Sequence, residues 1–336
     1  MTTQIPASLS RRKILLGAAG ATAAMAGSRV MFLAAAAQSG LEVRTRAGLA
    51  FQTTVAITIA GGDARRLDQA LDACFAGIRA VEQASSVYKP GSDVSRLNRD
   101  GRLTGPDPHV LTLLRYACSL SKATGGSYDP TVQPLWDIWA AHHARAERPS
   151  ETVLRQTLRL VDWTGITISE DEISFDRPGM AVTLNSINQG YAADVVMDIL
   201  AQHEITDAFV DTGECGASGH HPEGRFWRLG VPAPRDTSQL AFVIDPFRQF
   251  ASTSGDYGTF FSPDFRDHHI FDPQTGYSPQ EWSSITVTAP SGLIADGLST
   301  ALFVLDPANA RRLLAGEPHC TARFFGKDGR ECAGMA

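Results

Sequence analysis

The sequence contains little that would direct the chain to a membrane interior or to a metal–thiolate site. The apolar run near the amino terminus is interrupted by Arg29 and stops well short of the roughly 20 residues that a bilayer span needs. Five cysteines make an odd number and show no metal-type spacing, which argues against a zinc site. Cys320 and Cys332 can pair in an oxidising compartment, and the alternative is that all five are free thiols.

No repeat period and no complete glycine fingerprint of a dinucleotide site occur in the sequence. The net charge of −6 becomes −10 without the first 37 residues, which carry four basic side chains and no acid. Such an acidic surface would repel phosphates and argues against nucleic-acid binding. With 43% hydrophobic and 20% charged residues, 336 residues are enough for a globular protein of one or two lobes.

The amino terminus has the pattern of an export signal. Arg11 and Arg12 precede a stretch rich in Leu, Ala and Gly that ends in small residues, as in twin-arginine leaders. The alternative, an anchor helix, is disfavoured by Arg29. We therefore predict that residues 1–37 are a removed signal peptide and that residues 38–336 form the folded domain in the periplasm.

Apolar periodicity predicts strands and helices in irregular alternation, which is typical of an α+β fold. A stripe of apolar residues at helical spacing predicts a helix over 64–85, and β-branched residues predict a strand over 49–60. Further helices are predicted over 109–123, 150–160, 192–203, 293–304 and 308–314. Two strands around a turn at 170–172 are predicted within 165–175, and a short strand that breaks into glycines is predicted within 207–219. Further strands are predicted at 226–231, 239–253 and 282–289.

The stretch 254–302 is the densest in chemistry. It contains Ser-Gly-Asp-Tyr at 254–257, the pair His268 and His269 before an Asp-Pro corner, and Asp296 four residues before Thr300. Residues four apart share a helix face, so this stretch predicts a hard-ion and acid/base site. The alternatives are that Asp296 caps a helix beginning near residue 298 and that His268 is structural.

Two earlier segments contain candidate ligand contacts. Tyr88 stands beside a Lys-Pro-Gly turn, where an aromatic ring can stack on a planar ligand, although most such stretches are plain surface turns. Tyr128 and Asp129 precede Pro130 in a stiff corner, followed by Trp136. The glycine at 190, at a helix start, would offer free amides to a phosphate.

Taken together, these motifs resemble the ApbE-type FAD:protein FMN transferases. The resemblance rests on six motifs in order: SDVSRLN at 92–98, YDPTVQPLW at 128–136, GYAADVV at 190–196, TSGDY at 253–257, HHIFDPQTG at 268–276 and ADGLSTAL at 295–302. It implies an α+β, T-fold-like unit of mixed antiparallel sheets with flanking helices in two lobes. It also implies an enzyme that transfers FMN from FAD to a Ser or Thr hydroxyl of a partner protein and releases AMP.

The resemblance assigns roles to individual residues. It implies a Mg²⁺ site formed by the side chains of Asp296 and Thr300 and the main-chain carbonyl of Ser186, with His269 as general base. The implied flavin-binding positions are Phe51, Tyr88, Ser127, Tyr128, Asp129, Thr183, Gln189 and Ile270.

Some positions depart from the common family pattern. Phe51 and the glutamine after it stand where Met-Gly is usual, Thr183 where Asp is usual, and Gln189 where Lys or Glu is usual. Glu214 occupies the second glycine position of a Gly-Gly-Asp loop. Gln189 and Glu214 resemble the NosX-like branch tied to nitrous-oxide respiration, which implies a NosR-like periplasmic flavoprotein as acceptor. The alternatives are a periplasmic FAD pyrophosphatase and a non-catalytic flavin carrier or assembly factor.

Overall fold

A computed structural model describes residues 41–333, so the predicted leader lies outside the described residues and remains a prediction. Twelve strands are formed in this part of the chain: β1 (Glu42–Ala50), β2 (Thr53–Gly61), β3 (Arg102–Thr104), β4 (Ile166–Ile168), β5 (Glu172–Phe175), β6 (Asp207–Asp211), β7 (Cys215–Ser218), β8 (Trp227–Ala233), β9 (Asp236–Phe247), β10 (Phe250–Gly255), β11 (Trp282–Ala289) and β12 (Thr321–Gly326). The α-helices of residues 41–333 are α1 (Ala64–Ser85), α2 (Asp93–Asp100), α3 (Pro108–Ala123), α4 (Gln133–His143), α5 (Glu151–Thr157), α6 (Asn188–Gln202), α7 (Gly292–Val304) and α8 (Pro307–Ala315).

Seven strands form the main sheet, in the order β1-β2-β6-β7-β10-β11-β12, and each neighbouring pair is antiparallel. Strands β3, β5 and β4 form a small second sheet, and β8 with β9 forms a two-stranded ribbon. Antiparallel sheets with flanking helices agree with the predicted α+β class.

Two apolar clusters flank the main sheet. The apolar stripe of α1 is buried against α6 and the strands β2 and β6, through residues such as Leu71 and Ile78. The larger cluster joins α3 and α7 to β11 and β12. Burial of one helix face against a sheet is what the helical spacing over 64–85 predicted.

Helices α6 and α7 cap each other. The carboxylate of Asp194, on α6, accepts hydrogen bonds from the amides of Gly292 and Leu293 at 2.6 and 2.8 Å, at the start of α7. In return, the Asp296 carboxylate on α7 accepts from the amide of Gly190 at 2.9 Å, in the first turn of α6. Each carboxylate satisfies amides that lack a partner within their own helix. The two helix starts are therefore fixed relative to each other.

This arrangement requires glycine at the contact. A Cβ added to Gly190 would stand 2.1 Å from the carbonyl oxygen of Gly292 and 2.6 Å from Cβ of Asp296. Only a residue without a side chain allows α7 to bring its carboxylate so close to the α6 backbone.

Two local predictions were wrong. Residues 49–60 are two strands, because Phe51 and Gln52 form a tight turn with φ of 50° and 61°. Residues 239–253 are also split, since β9 pairs with β8 in the ribbon whereas β10 joins the main sheet. No helix in residues 41–333 is long and apolar enough to cross a membrane.

Candidate active site

One cleft, with a cavity volume of about 330 Å³, brings together eleven of the twelve site residues predicted from the sequence. These eleven residues are Tyr88, Ser127, Tyr128, Asp129, Thr183, Ser186, Gln189, His269, Ile270, Asp296 and Thr300. They come from α6, α7 and from loops that are far apart in sequence.

Phe51 is the predicted residue that does not line this cleft. It lies in the turn between β1 and β2 and packs against the apolar cluster beneath α1. Its amide donates to Glu82 at 2.8 Å, and Glu82 pairs with Lys89, the residue after Tyr88, at 2.6 Å. The turn is thus linked to the cleft residue Tyr88 only through Glu82 and Lys89. The predicted contact of Phe51 with the flavin stays a prediction.

Asp296 projects from the second turn of α7, and its side chain is almost completely buried, with 5% exposed. Helix α7 begins at Gly292 with Ser291 as its cap, so Asp296 is not the amino-terminal cap of this helix. The second carboxylate oxygen accepts from Ser252 Oγ at 3.3 Å. Burial raises the pKa of Asp296 to about 7, although the hydrogen bonds from Gly190 and Ser252 act in the opposite direction.

Beside Asp296 lies a cluster of hydroxyl groups. Ser254 Oγ lies 3.0 Å from Thr300 Oγ1 and 2.7 Å from Ser299 Oγ, and Ser299 Oγ lies 3.2 Å from Ser252 Oγ. The spacing of four places Asp296 and Thr300 on the same side of α7, as predicted, and both line the cleft.

Glu214, in the loop between β6 and β7, adds a second carboxylate to this wall of the cleft. It accepts from the amide of Thr253 at 3.3 Å. Burial raises the pKa of Glu214 well above its ordinary value, and the nearby charge of Asp296 adds to this effect. None of the described residues that line the cleft is a lysine or an arginine. The two carboxylates therefore have no cationic side chain to neutralise them within the lining.

His269 lies in the loop between β10 and β11 with its ring orientation fixed. Both its amide and its Nδ1 donate to the carbonyl oxygen of Thr259, at 3.1 and 2.9 Å. A carbonyl can only accept, so Nδ1 carries the proton and Nε2 keeps a free lone pair. Loss of surrounding water lowers the pKa of His269, while the hydrogen bond to the Thr259 carbonyl and the charge of Asp256 act to raise it.

His268 has a different environment. Its ring is completely buried between the carbonyl oxygen of Pro279, at 3.1 Å from Nε2, and the amide of Ile270, at 3.3 Å from Nδ1. Burial lowers the pKa of His268 to about 3. Both nitrogens are used by the fold, in agreement with a structural role.

Aromatic side chains form another part of the cleft lining. The half-exposed Tyr88 ring packs edge-on against Trp136, with ring centres 6.5 Å apart, and its hydroxyl accepts from Asn185 at 3.4 Å. Tyr128 is buried, and its hydroxyl lies 2.9 Å from Ser186 Oγ. An exposed ring beside a preformed polar wall suits a planar ligand with a polar tail.

The remaining predicted positions are held by short local contacts. Asp129 accepts from the amide and hydroxyl of Thr131 at 2.7 and 2.6 Å, and its burial raises its pKa. Thr183 is anchored by its amide to the carbonyl oxygen of Pro130 at 2.8 Å. Gln189 packs over Gly213, whose φ of 100° and lack of a side chain leave room for the amide group. Ile270 lines the cleft from the loop that carries His269.

Several lining residues were not among those predicted from the sequence. Asn185, Trp136 and Thr259 contact predicted residues directly, and Glu214 was noted only as a departure from the family pattern. Trp136 ends the motif at 128–136, and Asn185 stands between the predicted residues Thr183 and Ser186, so proximity in sequence could have suggested both. Thr259 acts through its main-chain carbonyl, which leaves no trace in residue identity.

Comparison with known proteins identifies the family to which the chain is related. The model of the ApbE family matches residues 51–324. An FAD:protein FMN transferase of Haemophilus influenzae is 32% identical over 242 residues, covering 68% of this chain and 70% of the relative. One from Escherichia coli is 30% identical over 290 residues and covers 82% of each chain.

The solved structures point the same way. The flavinyl transferase ApbE of Pseudomonas stutzeri, in its apo form, superposes with a TM-score of 0.75 at 29% identity, covering 87% of this chain and 93% of that structure. The predicted family and α+β fold class are confirmed. The chain belongs to the ApbE family.

Proposed function

We propose that this protein transfers FMN from FAD to a Ser or Thr hydroxyl of a partner protein, in a reaction that depends on a divalent cation and releases AMP. The observation that carries the proposal is the composition of the cleft. It contains carboxylates, hydroxyls and an oriented histidine, but its described lining has no lysine or arginine to receive a pyrophosphate.

The donor set fits a hard cation such as Mg²⁺. Two carboxylates, from Asp296 and Glu214, and the Thr300 hydroxyl are oxygen ligands of the kind that Mg²⁺ prefers. Family resemblance adds the carbonyl of Ser186. A cation bound there would neutralise the charge of the carboxylates and of the FAD pyrophosphate, which would otherwise repel each other.

The histidine supplies the proton acceptor. The hydroxyl oxygen of the partner protein forms a new bond to the phosphorus of the FMN half of FAD. The hydroxyl proton passes to Nε2 of His269, and the bond from that phosphorus to the AMP oxygen breaks. Because Nδ1 of His269 is held by Thr259, the free lone pair is on the nitrogen that must receive the proton. The aromatic wall of Tyr88 and Trp136 is the surface for the flavin ring.

The physiological acceptor is proposed from the sequence pattern. Gln189 and Glu214, together with the twin-arginine leader, support a periplasmic location and a NosR-like flavoprotein of nitrous-oxide respiration as acceptor. Both residues line the cleft, so their identity bears on the site itself.

The function is tested with protein that lacks residues 1–37. It is incubated with FAD, Mg²⁺ and the flavin domain of a NosR-like protein, and the acceptor is examined for covalent fluorescence and for the mass of one FMN. We expect both signals, with one AMP released per FMN attached. Omission of Mg²⁺, with a chelator present, is the control and should suppress the reaction.

Each alternative function gives a different product. Release of AMP at the same rate without an acceptor would indicate an FAD pyrophosphatase instead. Retention of FAD with no AMP under any condition would indicate a flavin carrier. A further control replaces the NosR-like domain by a domain from an unrelated periplasmic flavoprotein. Equal rates of flavinylation for the two domains would contradict the proposal that a NosR-like protein is the acceptor.

A second prediction concerns Glu214. Replacing it by glutamine removes one of the two carboxylates, so we expect the affinity for Mg²⁺ in the absence of FAD to fall about tenfold, roughly 1.4 kcal/mol. In the unmodified protein, affinity should rise with pH through about 7, because raised pKa values keep the two carboxyl groups protonated at lower pH and the cation must displace those protons. Calorimetry, or the Mg²⁺-induced rise of Tm, at pH 6 and pH 8 measures both effects.

The matched control is Glu170→Gln. Glu170 is an exposed carboxylate that pairs with Arg115 at 2.7 Å and does not line the cleft. The Glu170→Gln substitution should leave the affinity for Mg²⁺ and the pH dependence of that affinity unchanged. Equal Mg²⁺ affinities for Glu214→Gln and this control would remove Glu214 from the cation site.

A further inference from the structure

An ion cluster with a fully buried carboxylate adjoins residues 256–281, the loop between β10 and β11 that carries His269 and is called the catalytic loop below. Asp256 follows the last residue of β10 and precedes Tyr257, which lines the cleft, yet its own side chain is 0% exposed. Its two carboxylate oxygens accept from the two terminal nitrogens of Arg235, each at 2.7 Å. Lys327 Nζ adds a third contact at 3.0 Å. Two partly exposed cations, with 25% and 26% of their side chains accessible, thus neutralise one buried carboxylate.

The cluster joins parts of the molecule that are far apart in sequence. Arg235 lies in the turn of the β8–β9 ribbon, and Lys327 follows β12 at the edge of the main sheet. Arg235 Nε also donates to the carbonyl oxygen of Lys327 at 3.0 Å. A bidentate guanidinium fixes both distance and orientation, which a single ammonium contact does not. The ribbon turn is therefore fastened to the point where β10 enters the catalytic loop.

The same two cations hold this loop at a second point. The guanidinium carbon of Arg235 lies 4.8 Å from the ring centre of Phe265, and Lys327 Nζ donates to the Phe265 carbonyl oxygen at 3.4 Å. The Phe265 ring in turn packs edge-on against Phe260, at 4.9 Å between ring centres. The loop is thus anchored near its start and near its middle.

The catalytic histidine depends on this loop for its orientation. Residues 256–281 contain no helix or strand, apart from an isolated bridge between Phe260 and His268. The partner that orients His269, the carbonyl of Thr259, lies in the same loop, three residues after Asp256. Nothing from a regular element of the described chain supplies that hydrogen bond, so the loop must be held from outside.

We propose that Arg235 is a positioning residue: through Asp256 and Phe265 it fixes the loop that orients His269 for proton transfer. This inference rests on the proposed function. Removal of Arg235 leaves Asp256 paired with Lys327, so the buried carboxylate keeps one cationic partner, although the loss of the bidentate contact lowers the stability of the fold. What is lost is the geometry of the loop, and displacement of a reacting group by about 1 Å can cost about a hundredfold in rate.

The test compares Arg235→Ala and Arg235→Lys with Arg228→Ala. Arg228 lies on the same ribbon and makes an exposed pair with Asp245 at 2.8 Å, so its removal is the matched control. For Arg235→Ala we expect the single-turnover rate of FMN transfer to fall about a hundredfold. The KM for FAD should stay close to that of the control, whereas Tm should fall below it, because the buried Asp256 loses two hydrogen bonds. Arg235→Lys should recover part of the rate, and added guanidinium ion should partly restore Arg235→Ala.

A spectroscopic measurement reports on the loop without catalysis. In protein labelled with ¹⁵N-histidine, the Nδ1–H signal of His269 should shift in Arg235→Ala and stay in place in the control. The inference is overturned if the rate of Arg235→Ala lies within about twofold of the control. It is also overturned if rate, FAD affinity and Tm fall together while the His269 signal is unchanged. Failure of the unmodified protein to transfer FMN would instead refute the proposed function, and the His269 signal would then decide on Arg235 alone.

Discussion

Replacing Asp296 by asparagine is expected to abolish FMN transfer and the response to Mg²⁺ together, while the fold is kept. The change removes one negative oxygen from the cation site, which we expect to cost about 4 kcal/mol or more of transition-state stabilisation, roughly a thousandfold in rate. An asparagine oxygen can still accept the hydrogen bond from the Gly190 amide, so the contact between α6 and α7 remains. Activity and the Mg²⁺-induced shift of Tm are measured on the same preparation.

The metal-free variant has a second expected property. In the folded protein the pKa of Asp296 is about 7, above the value of about 3.9 in an unfolded chain. The folded state therefore binds the proton more tightly, and this carboxyl makes stability fall as pH rises from about 4 to 7. Asp296→Asn should remove that dependence and melt at a higher temperature than the unmodified metal-free protein at pH 8.

Asp194→Asn provides the matched comparison, because Asp194 caps the partner helix but does not line the cleft. It should lower Tm while the response to Mg²⁺ remains. Metal-dependent transfer by Asp296→Asn at a rate near that of the unmodified protein would contradict the cation site.

The sequence predicted the parts of this site that depend on local spacing. Asp296 and Thr300 share one side of α7 because a helix repeats every 3.6 residues, and the six motifs contain most of the cleft lining. The local pattern was also sufficient to predict helix α1 and its buried face, because the apolar residues recur at helical spacing.

What the sequence did not reveal depends on tertiary pairing. The turn at Phe51 and Gln52 has neither glycine nor asparagine, so residues 49–60 have the pattern of one uninterrupted strand although the backbone reverses there. The division between β9 and β10 is decided by the partner of each strand, which local composition does not encode.

Contacts at long sequence distance were equally invisible. Arg235 and Asp256 are 21 residues apart, and Lys327 lies 71 residues beyond Asp256, so no motif links them. Likewise, Glu214 was seen as a departure from a glycine loop, whereas the fold places its carboxylate on the same wall of the cleft as Asp296. A residue that departs from the family pattern in the sequence is thus a candidate cation ligand in the structure.

Replacing His269 by alanine is expected to lower the rate of FMN transfer by about 10² to 10⁴, the usual contribution of a general base. A second expected change is in the pH profile. The base must be unprotonated, and desolvation lowers the pKa of His269, so the rate should be constant near neutral pH and fall only below the ordinary histidine value of about 6.5. This acidic limb should disappear in His269→Ala.

The profile is measured under single-turnover conditions at saturating Mg²⁺, so that protonation of Asp296 and Glu214 does not contribute to the acidic limb. His268→Gln is the comparison. His268 has a pKa of about 3 and is enclosed by Pro279 and Ile270, so its replacement should lower Tm. The acidic limb of the pH profile, which is assigned to His269, should remain in His268→Gln. Persistence of the limb in His269→Ala, or an unchanged rate, would place the proton acceptor elsewhere. Loss of the limb in that variant alone would assign it to Nε2 of His269, the nitrogen that the Thr259 hydrogen bond leaves free.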